Sequence, residues 1–280
     1  MNDINFIKSL NKLEPFLDHK NAVLSAPIRH LFMIGVVWYL NKSKTVTNIL
    51  EIGSWFGASA LTWAQGISKY AEKNSSITCI DAWEPFFNMS DHFNDEYVKE
   101  MEELLKSDFA YNVFLHNIGT INNGKIKTQH FRGKSENILP QLKDQIYDIV
   151  FIDADHAYKS VKQDIKNSIR LVKNGGIICG DDLNLQFHEI DKDYAILKKE
   201  KDFIEDPLTK KNYHPGVTVA VYEEFGDVSS WGGFWAMQKM NENWVKFSLK
   251  NMEVIYPDHF TKIHRENAKL HFNDIKNLLY

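Results

Sequence analysis

The stretch Ile49-Leu50-Glu51-Ile52-Gly53-Ser54-Trp55-Phe56-Gly57-Ala58-Ser59 constrains the fold more than any other part of the chain. An apolar run ends in an acid, a glycine follows two residues later, and a second glycine opens a helix-like segment. That order describes a buried parallel strand turning tightly into a helix, the place where doubly wound α/β proteins hold a nucleotide. The glycines are spaced Gly-x-x-x-Gly. They lack the Gly-x-Gly-x-x-Gly pattern that brings a helix N-terminus against a dinucleotide pyrophosphate.

An acid at the strand end repels phosphate and suits a cation. S-adenosylmethionine carries an ammonium and a sulfonium and no phosphate, so it matches Glu51. Glu51, Gly53, Ser54, Trp55, Gly57 and Ser59 are therefore the expected donor-binding loop. The same charge argument and the glycine spacing disfavour a nicotinamide dehydrogenase.

The alternation of strands and helices is readable from Thr47 to Asp182. Strands are expected at Ile49–Ile52, Ile77–Ile80, Ile126–Phe131, Ile149–Ile152 and Ile177–Gly180. Helices are expected at Ala58–Ile67, in the acidic insert Asp95–Lys106, and near Glu136–Leu142. Tyr158, Val161, Ile165, Ile169 and Val172 mark one face of another, stopped by Gly175-Gly176. A turn is expected at Asn122-Asn123-Gly124. Strand–helix alternation implies a Rossmann-like, mostly parallel doubly wound sheet covered on both faces. His214-Pro215-Gly216 opens a further helix, and Gly233–Met240 with Trp244–Leu249 reads as an antiparallel pair. The expected organisation is one domain: a helical cap over 1–46, a core over 47–250 with a lid-like insertion at 183–213, and a tail over 251–280.

A chain of 280 residues with 44% apolar content is long enough to bury a large core. The net charge of −4, with lysines scattered among acids, gives no reason to expect a nucleic-acid partner. The run Leu31–Leu40, about 10 residues, is too short to span a bilayer. Cys79 and Cys179 both fall in apolar strand-like runs, which suits core packing in a reducing cytoplasm. A homodimer closed by the terminal helices is the expected assembly.

Ligands of open parallel sheets bind beyond the carboxyl ends of the strands. Acids stand at four of the five expected ends: Glu51, Asp81, Asp153 and the pair Asp181-Asp182. One such acid is usually a helix cap. Four converging on one edge repel one another unless a cation offsets them. Asp81 is expected to accept both ribose hydroxyls of the donor, since a carboxylate offers two acceptor oxygens. Ser135 and Glu136 are placed for the adenine edge or as an N-cap. Trp83 is read as stacking on adenine or filling the core. Asp153 also borders the donor. Asp153, Asp181 and Asp182 supply only oxygens, a set suited to magnesium, with manganese or calcium as substitutes. Such an ion lowers the pKa of a substrate hydroxyl and holds it in line with the methyl group. His156 is the favoured general base, with His214 second. Trp231, Trp235 and Trp244 are available for stacking or for the core.

Together Ile49–Ser59, Asp81, Gly133–Leu142 and Tyr147–His156 resemble the class I S-adenosylmethionine-dependent methyltransferases. The resemblance is nearest to the metal-dependent small-molecule O-methyltransferases of the catechol and caffeoyl-CoA type and their bacterial relatives. It covers Thr47–Leu183, with a weaker likeness at Pro215–Phe225. It implies seven strands with a reversed final strand and a magnesium site at Asp153, Asp181 and Asp182. Two positions depart from that pattern. Asp182 stands where an asparagine is usual, and His156 where a lysine is usual.

The leading expectation is metal-assisted methyl transfer to a hydroxyl of a small molecule such as a sugar, glycoside or phenol. A nitrogen acceptor in a base or protein side chain ranks below it, because Asp153-Ala154-Asp155-His156 replaces the Asp/Asn-Pro-Pro-Tyr stretch of those enzymes. A non-catalytic cofactor-binding subunit is the third reading.

Overall fold

The computed structural model describes residues 4–41, 45–86, 95–121 and 124–276. Helices α1 (Ile4–Ser9) and α2 (Arg29–Leu40) precede the alternating core. The core runs β1 (Asn48–Ile52), α3 (Ala58–Tyr70), β2 (Ser75–Asp81), α4 (Glu96–Lys106), α5 (Phe109–Thr120) and β3 (Ile126–Arg132). It continues with α6 (Ser135–Ile138), β4 (Tyr147–Ile152), α7 (Tyr158–Ile169) and β5 (Val172–Leu183). Helix α8 (Lys192–Lys198) and the two-residue strands β6 (Ile204–Glu205) and β7 (Asn212–Tyr213) lie in the expected insertion. The chain closes with α9 (Pro215–Phe225), β8 (Ser229–Trp231), β9 (Gly233–Met240), β10 (Asn243–Val245) and α10 (Lys262–Ile275).

Five strands are parallel in the order β3-β2-β1-β4-β5, and β9 runs antiparallel beside β5. This is the expected Rossmann-like sheet with one reversed strand. Strand order reverses at β1 and β4, so their carboxyl ends open the ligand crevice. Among the described residues the sheet has eight strands rather than seven. Beyond β9 the edge is shared: β8 pairs with its first half and β10 with its end. Only Gly232, with φ 61°, separates β8 from β9, so the hairpin closes at once and β8 stays short.

The central strands read as unbroken apolar runs because both faces are covered. Along β1, Ile49 faces the core beneath α2, α3 and α5, while Leu50 and Ile52 face the core beneath α7 and α9. Cys79 and Cys179 are free and buried on the first of these faces.

Three local expectations change. The helix expected to continue to Val172 ends at Ile169, and Val172 already pairs with Tyr147 in the sheet. Gly175-Gly176 therefore bends the start of β5 rather than stopping a helix; Gly175 has φ 81° and the register with β4 shifts there. Helix α5 follows the acidic insert and had no counterpart in the sequence reading. Asn122 and Asn123 of the expected turn lie outside the described residues. Among the described residues no helix is long and apolar enough to cross a membrane.

Candidate functional site

The turn after β1 is built from backbone conformations few side chains tolerate. Gly53 (φ 85°), Trp55 (φ 45°) and Gly57 (φ 84°) are all left-handed. A Cβ on Gly53 would overlap the carbonyl oxygen of Asp153, so the glycine lets the loop lie directly against the end of β4. Asp81 braces this loop from β2. Its Oδ2 accepts the N–H groups of Ser54 (2.8 Å) and Trp55 (2.9 Å), and its Oδ1 accepts that of Trp83 (2.8 Å). Burial raises its carboxyl, while these backbone donors act in the opposite sense. The acid read as a ribose acceptor is thus first a loop brace, with lone pairs to spare.

Glu51 is fully buried beneath the loop, and neither of its carboxylate oxygens has a hydrogen-bond partner. Burial pushes its carboxyl up to about 7, against the lowering influence of nearby Ser54 and Ser59. The Ser54 hydroxyl is likewise buried and unpaired. Ser59 lies half-buried in the first turn of α3.

An N-terminal segment lies over the same loop. Trp55 Nε1 donates to the Asn21 carbonyl (2.7 Å), and buried Asn117 of α5 donates to the carbonyls of both Phe16 and Phe56.

Two adenine contacts change. Trp83 is 1% exposed, packs on Phe114 at 4.5 Å and donates its indole N–H to the Trp55 carbonyl. It is a core residue and offers no stacking face. Ser135 donates to Asp164 Oδ1 of α7 at 2.5 Å, and Lys134, not Ser135, is the N-cap of α6. Glu136 is exposed. Trp231 and Trp235 are likewise core residues, and Trp244 packs edge-on against Phe225.

The acids at β4 and β5 do converge. Oxygens of Asp153, Asp181 and Asp182 lie within 4.8 Å of one another. Asp182 has φ 64°, and the pairing of β5 with β9 shifts register between Gly180 and Leu183. This irregularity lets two consecutive residues contribute to one cluster, which a regular strand would send to opposite faces.

Arg29 of α2 enters the cluster and was not foreseen. Its Nη1 lies 2.7 Å from Oδ1 of both Asp181 and Asp182, hydrogen-bonding to Asp182, and its Nε donates to the Gly232 carbonyl (3.0 Å). A Cβ on Gly233 would collide with the guanidinium. Asp181 Oδ1 is buried and in electrostatic contact with Arg29, but has no aligned hydrogen bond. Burial and the two neighbouring acids hold the Asp153 carboxyl well above the usual range. Asp181 is pushed up to about 6 by burial, with Arg29 acting against it. Burial opposes ionisation of Asp182 too, but the hydrogen bond and charge of His156, then Arg29 and His214, hold it far below.

The two histidines stand beside this cluster with ring centroids 4.1 Å apart. His156 is clamped: Nε2 lies 3.0 Å from Asp182 Oδ2 and Nδ1 2.7 Å from Asp202 Oδ1. Burial alone would lower its pKa, but these two carboxylates raise it well above the ordinary value. With both nitrogens committed as donors, His156 has no lone pair for a substrate proton. This corrects its expected role as general base. His214, immediately before α9, turns Nδ1 to the Asp202 carbonyl (2.7 Å) and Nε2 towards Asp182 (3.8 Å).

Residues 50–183 match the protein family described as "Methyltransferase domain". The span runs from the end of β1 through both acid-bearing strand ends. The matched span, 134 of the 280 residues, is thus similar to a methyltransferase domain. No curated protein matches the sequence. Solved structures similar to this chain include the O-methyltransferase NovP, at 13% identity over 76% of this chain and 80% of that one (TM-score 0.49). Another is the O-methyltransferase from Bacillus cereus in complex with SAH, at 16% identity over 87% of each chain (TM-score 0.43). A third is TomG from Streptomyces achromogenes in complex with SAM, at 16% identity over 86% and 92% (TM-score 0.42). At these levels they add nothing to what strand order and the family match establish.

A cationic ligand group would fit at the loop, where Glu51 is buried and neither of its carboxyl oxygens has a hydrogen-bond partner. A hard cation also fits the second cluster, since three carboxylates with only oxygen donors face one guanidinium and Asp181 Oδ1 lacks a hydrogen bond. Two residues of this region escaped the sequence reading. Arg29 had a readable signal, a lone cation opening an otherwise apolar buried helix, which requires an acid partner. Asp202, inside the irregular insertion, had none.

Proposed function

We propose that the chain is an S-adenosylmethionine-dependent methyltransferase acting on a hydroxyl of a small molecule, a sugar, glycoside or phenol, with magnesium at Asp153, Asp181 and Asp182. The observation that carries this reading is the contact between the two clusters. Gly53 of the donor loop abuts the carbonyl of Asp153, so donor and acid cluster share one wall. Bound S-adenosylmethionine supplies the methyl group on a sulfonium. Magnesium supplies a charge that favours the alkoxide form of a hydroxyl and fixes its position.

The chain's own residues do the rest. Glu51 sets a negative charge beneath the cationic donor. Asp81 holds the N–H groups of Ser54 and Trp55 inward and so fixes the loop. Asp153 and Asp181 have the least compensated charge and are the principal ligands. Asp182 is shared with Arg29 and His156. Those three carboxylates would hold the ion, and the proton that the acceptor hydroxyl gives up on methylation would pass to solvent. The free, buried cysteines support a reducing cytoplasmic setting.

Calorimetric titration with S-adenosylmethionine, in magnesium and in chelator, tests the donor half. Mass spectrometry of products from a panel of hydroxyl and amine acceptors tests the other. Methylation at oxygen, lost in chelator, is expected. Asp181→Ala should remove the magnesium dependence and leave donor affinity within a few-fold. Methylation at nitrogen, or turnover indifferent to chelator, would overturn the reading.

A further inference from the structure

The two histidines are arranged more specifically than an ion pair requires. Both turn Nδ1 to the same residue, Asp202: His156 to its carboxylate and His214 to its carbonyl, each at 2.7 Å. Both consequently turn Nε2 to Asp182, at 3.0 Å from Oδ2 and 3.8 Å from Oδ1. An imidazolium held between two carboxylates accounts for His156. It does not account for His214, whose Nε2 is too far from Asp182 to hydrogen-bond and whose ring lies 4.1 Å from that of His156.

We propose that His156, His214 and Asp182 form a second metal centre, for a first-row divalent ion that accepts imidazole nitrogen, such as zinc; Asp202 orients both rings, and the ion displaces to solvent the proton that His156 Nε2 otherwise shares with Asp182. One atom from each of the three ligands lies within 4.8 Å of the others. Ligand bonds of about 2.0–2.1 Å in a tetrahedral site place donor atoms roughly 3.4 Å apart. The observed 3.0 Å to Oδ2 and 3.8 Å to Oδ1 lie on either side of that spacing, each histidine facing a different oxygen of Asp182.

Metal-bound histidines almost always donate their other N–H to a carboxylate or carbonyl, and Asp202 offers one of each. The mount is firm. A Cβ on Gly216 would overlap the His156 carbonyl oxygen, so the start of α9 is pressed against the loop carrying His156. Phe203 packs on His214 at 4.7 Å and covers one side. Two imidazoles select against magnesium, so this ion differs from the one proposed at Asp153, Asp181 and Asp182, with which it would share Asp182 as a bridging carboxylate. The inference does not depend on the methyl acceptor or on magnesium binding.

Cobalt(II), a spectroscopic stand-in for zinc, provides the test. It would be titrated into the full, chelator-stripped chain while visible absorption is followed. One equivalent should bind with the intense bands of a low-coordinate site. His214→Gln should weaken binding by at least about tenfold, and Asp202→Asn, which removes only the orienting carboxylate, by about 10–100-fold. Asp153→Asn, which alters only the all-oxygen set, should leave it within about twofold. Melting curves of the metal-free variants check folding, and the rise in Tm on adding zinc gives a second readout that should vanish in His214→Gln. No binding to the wild type, or undiminished binding to His214→Gln, would overturn the centre. So would binding that is lost in Asp153→Asn and kept in His214→Gln.

Discussion

The two ends of the crevice solve the problem of buried charge in opposite ways. At the donor end a single carboxylate, Glu51, sits fully buried with no counter-ion, and burial moves its pKa up to about 7. At the acceptor end three carboxylates meet a guanidinium and two imidazoles, and Asp182 is held far below its ordinary pKa. The first arrangement leaves a charge for the ligand to complete. The second is already half complete, and any ligand must share what Arg29 and His156 hold. The proposed methyl transfer needs a cationic donor at one end and a nucleophile at the other, and this asymmetry of compensation would let one sheet edge serve both.

The largest effect should come from breaking the compensated end. Arg29→Met removes the guanidinium from Asp181 and Asp182 and leaves buried carboxylates facing one another. Removing one partner of a buried ion pair costs about 3–5 kcal/mol, and urea unfolding should show a loss of that order. Added magnesium should restore part of it, because a cation binding the native cluster stabilises by mass action. A loss under about 1 kcal/mol would mean that Arg29 is incidental to the cluster.

The uncompensated end should announce itself in pH dependence. The folded protein keeps the Glu51 proton up to about 7, whereas the unfolded chain releases it near 4.5. Stability from this group is therefore full below pH 4.5 and is lost as pH rises through 7, by roughly 3 kcal/mol. Asp181, pushed up to about 6, contributes in the same direction, so the comparison must be with a variant. Glu51→Gln should unfold at the same urea concentration as wild type at pH 4.5 and at a higher one at pH 8, while binding S-adenosylmethionine more weakly. Parallel pH profiles for the two proteins would show that Glu51 is compensated after all.

The same contrast explains what could be read from the sequence. The donor loop is local: strand, acid, two glycines and helix lie within Ile49–Ser59, and two of its three left-handed residues are the glycines, the third being Trp55. The mostly parallel, doubly covered sheet followed from apolar runs long enough to be buried on both faces. The acids at β4 and β5 were legible because strand ends in a parallel sheet share an edge. What could not be read was compensation across long sequence separations. Arg29 and Asp182 are 153 residues apart, and His156 and Asp202 are 46 apart. No periodicity links them. Trp83 was left open between adenine and core for a related reason: its place was decided by Tyr111 and Phe114 on α5, a helix the sequence reading did not contain.

The smallest predicted effect decides to which end α6 belongs. Ser135 was expected at the adenine edge, yet its hydroxyl donates to Asp164, a buried carboxylate pushed up to about 6 mainly by burial and partly restrained by that bond. If α6 is structural, Ser135→Ala should cost about 1 kcal/mol by removing a donor from a buried acceptor, and should raise the Asp164 pKa further. Because the hydroxyl is already committed, S-adenosylmethionine affinity should stay within about twofold of wild type, the range that a loss of about 0.4 kcal/mol would give. A tenfold fall in donor affinity with unchanged stability would mean that the hydroxyl turns to the cofactor when it binds. Asp164 would then be the partner it leaves, and the uncompensated end of the crevice would extend from Glu51 to the start of α6.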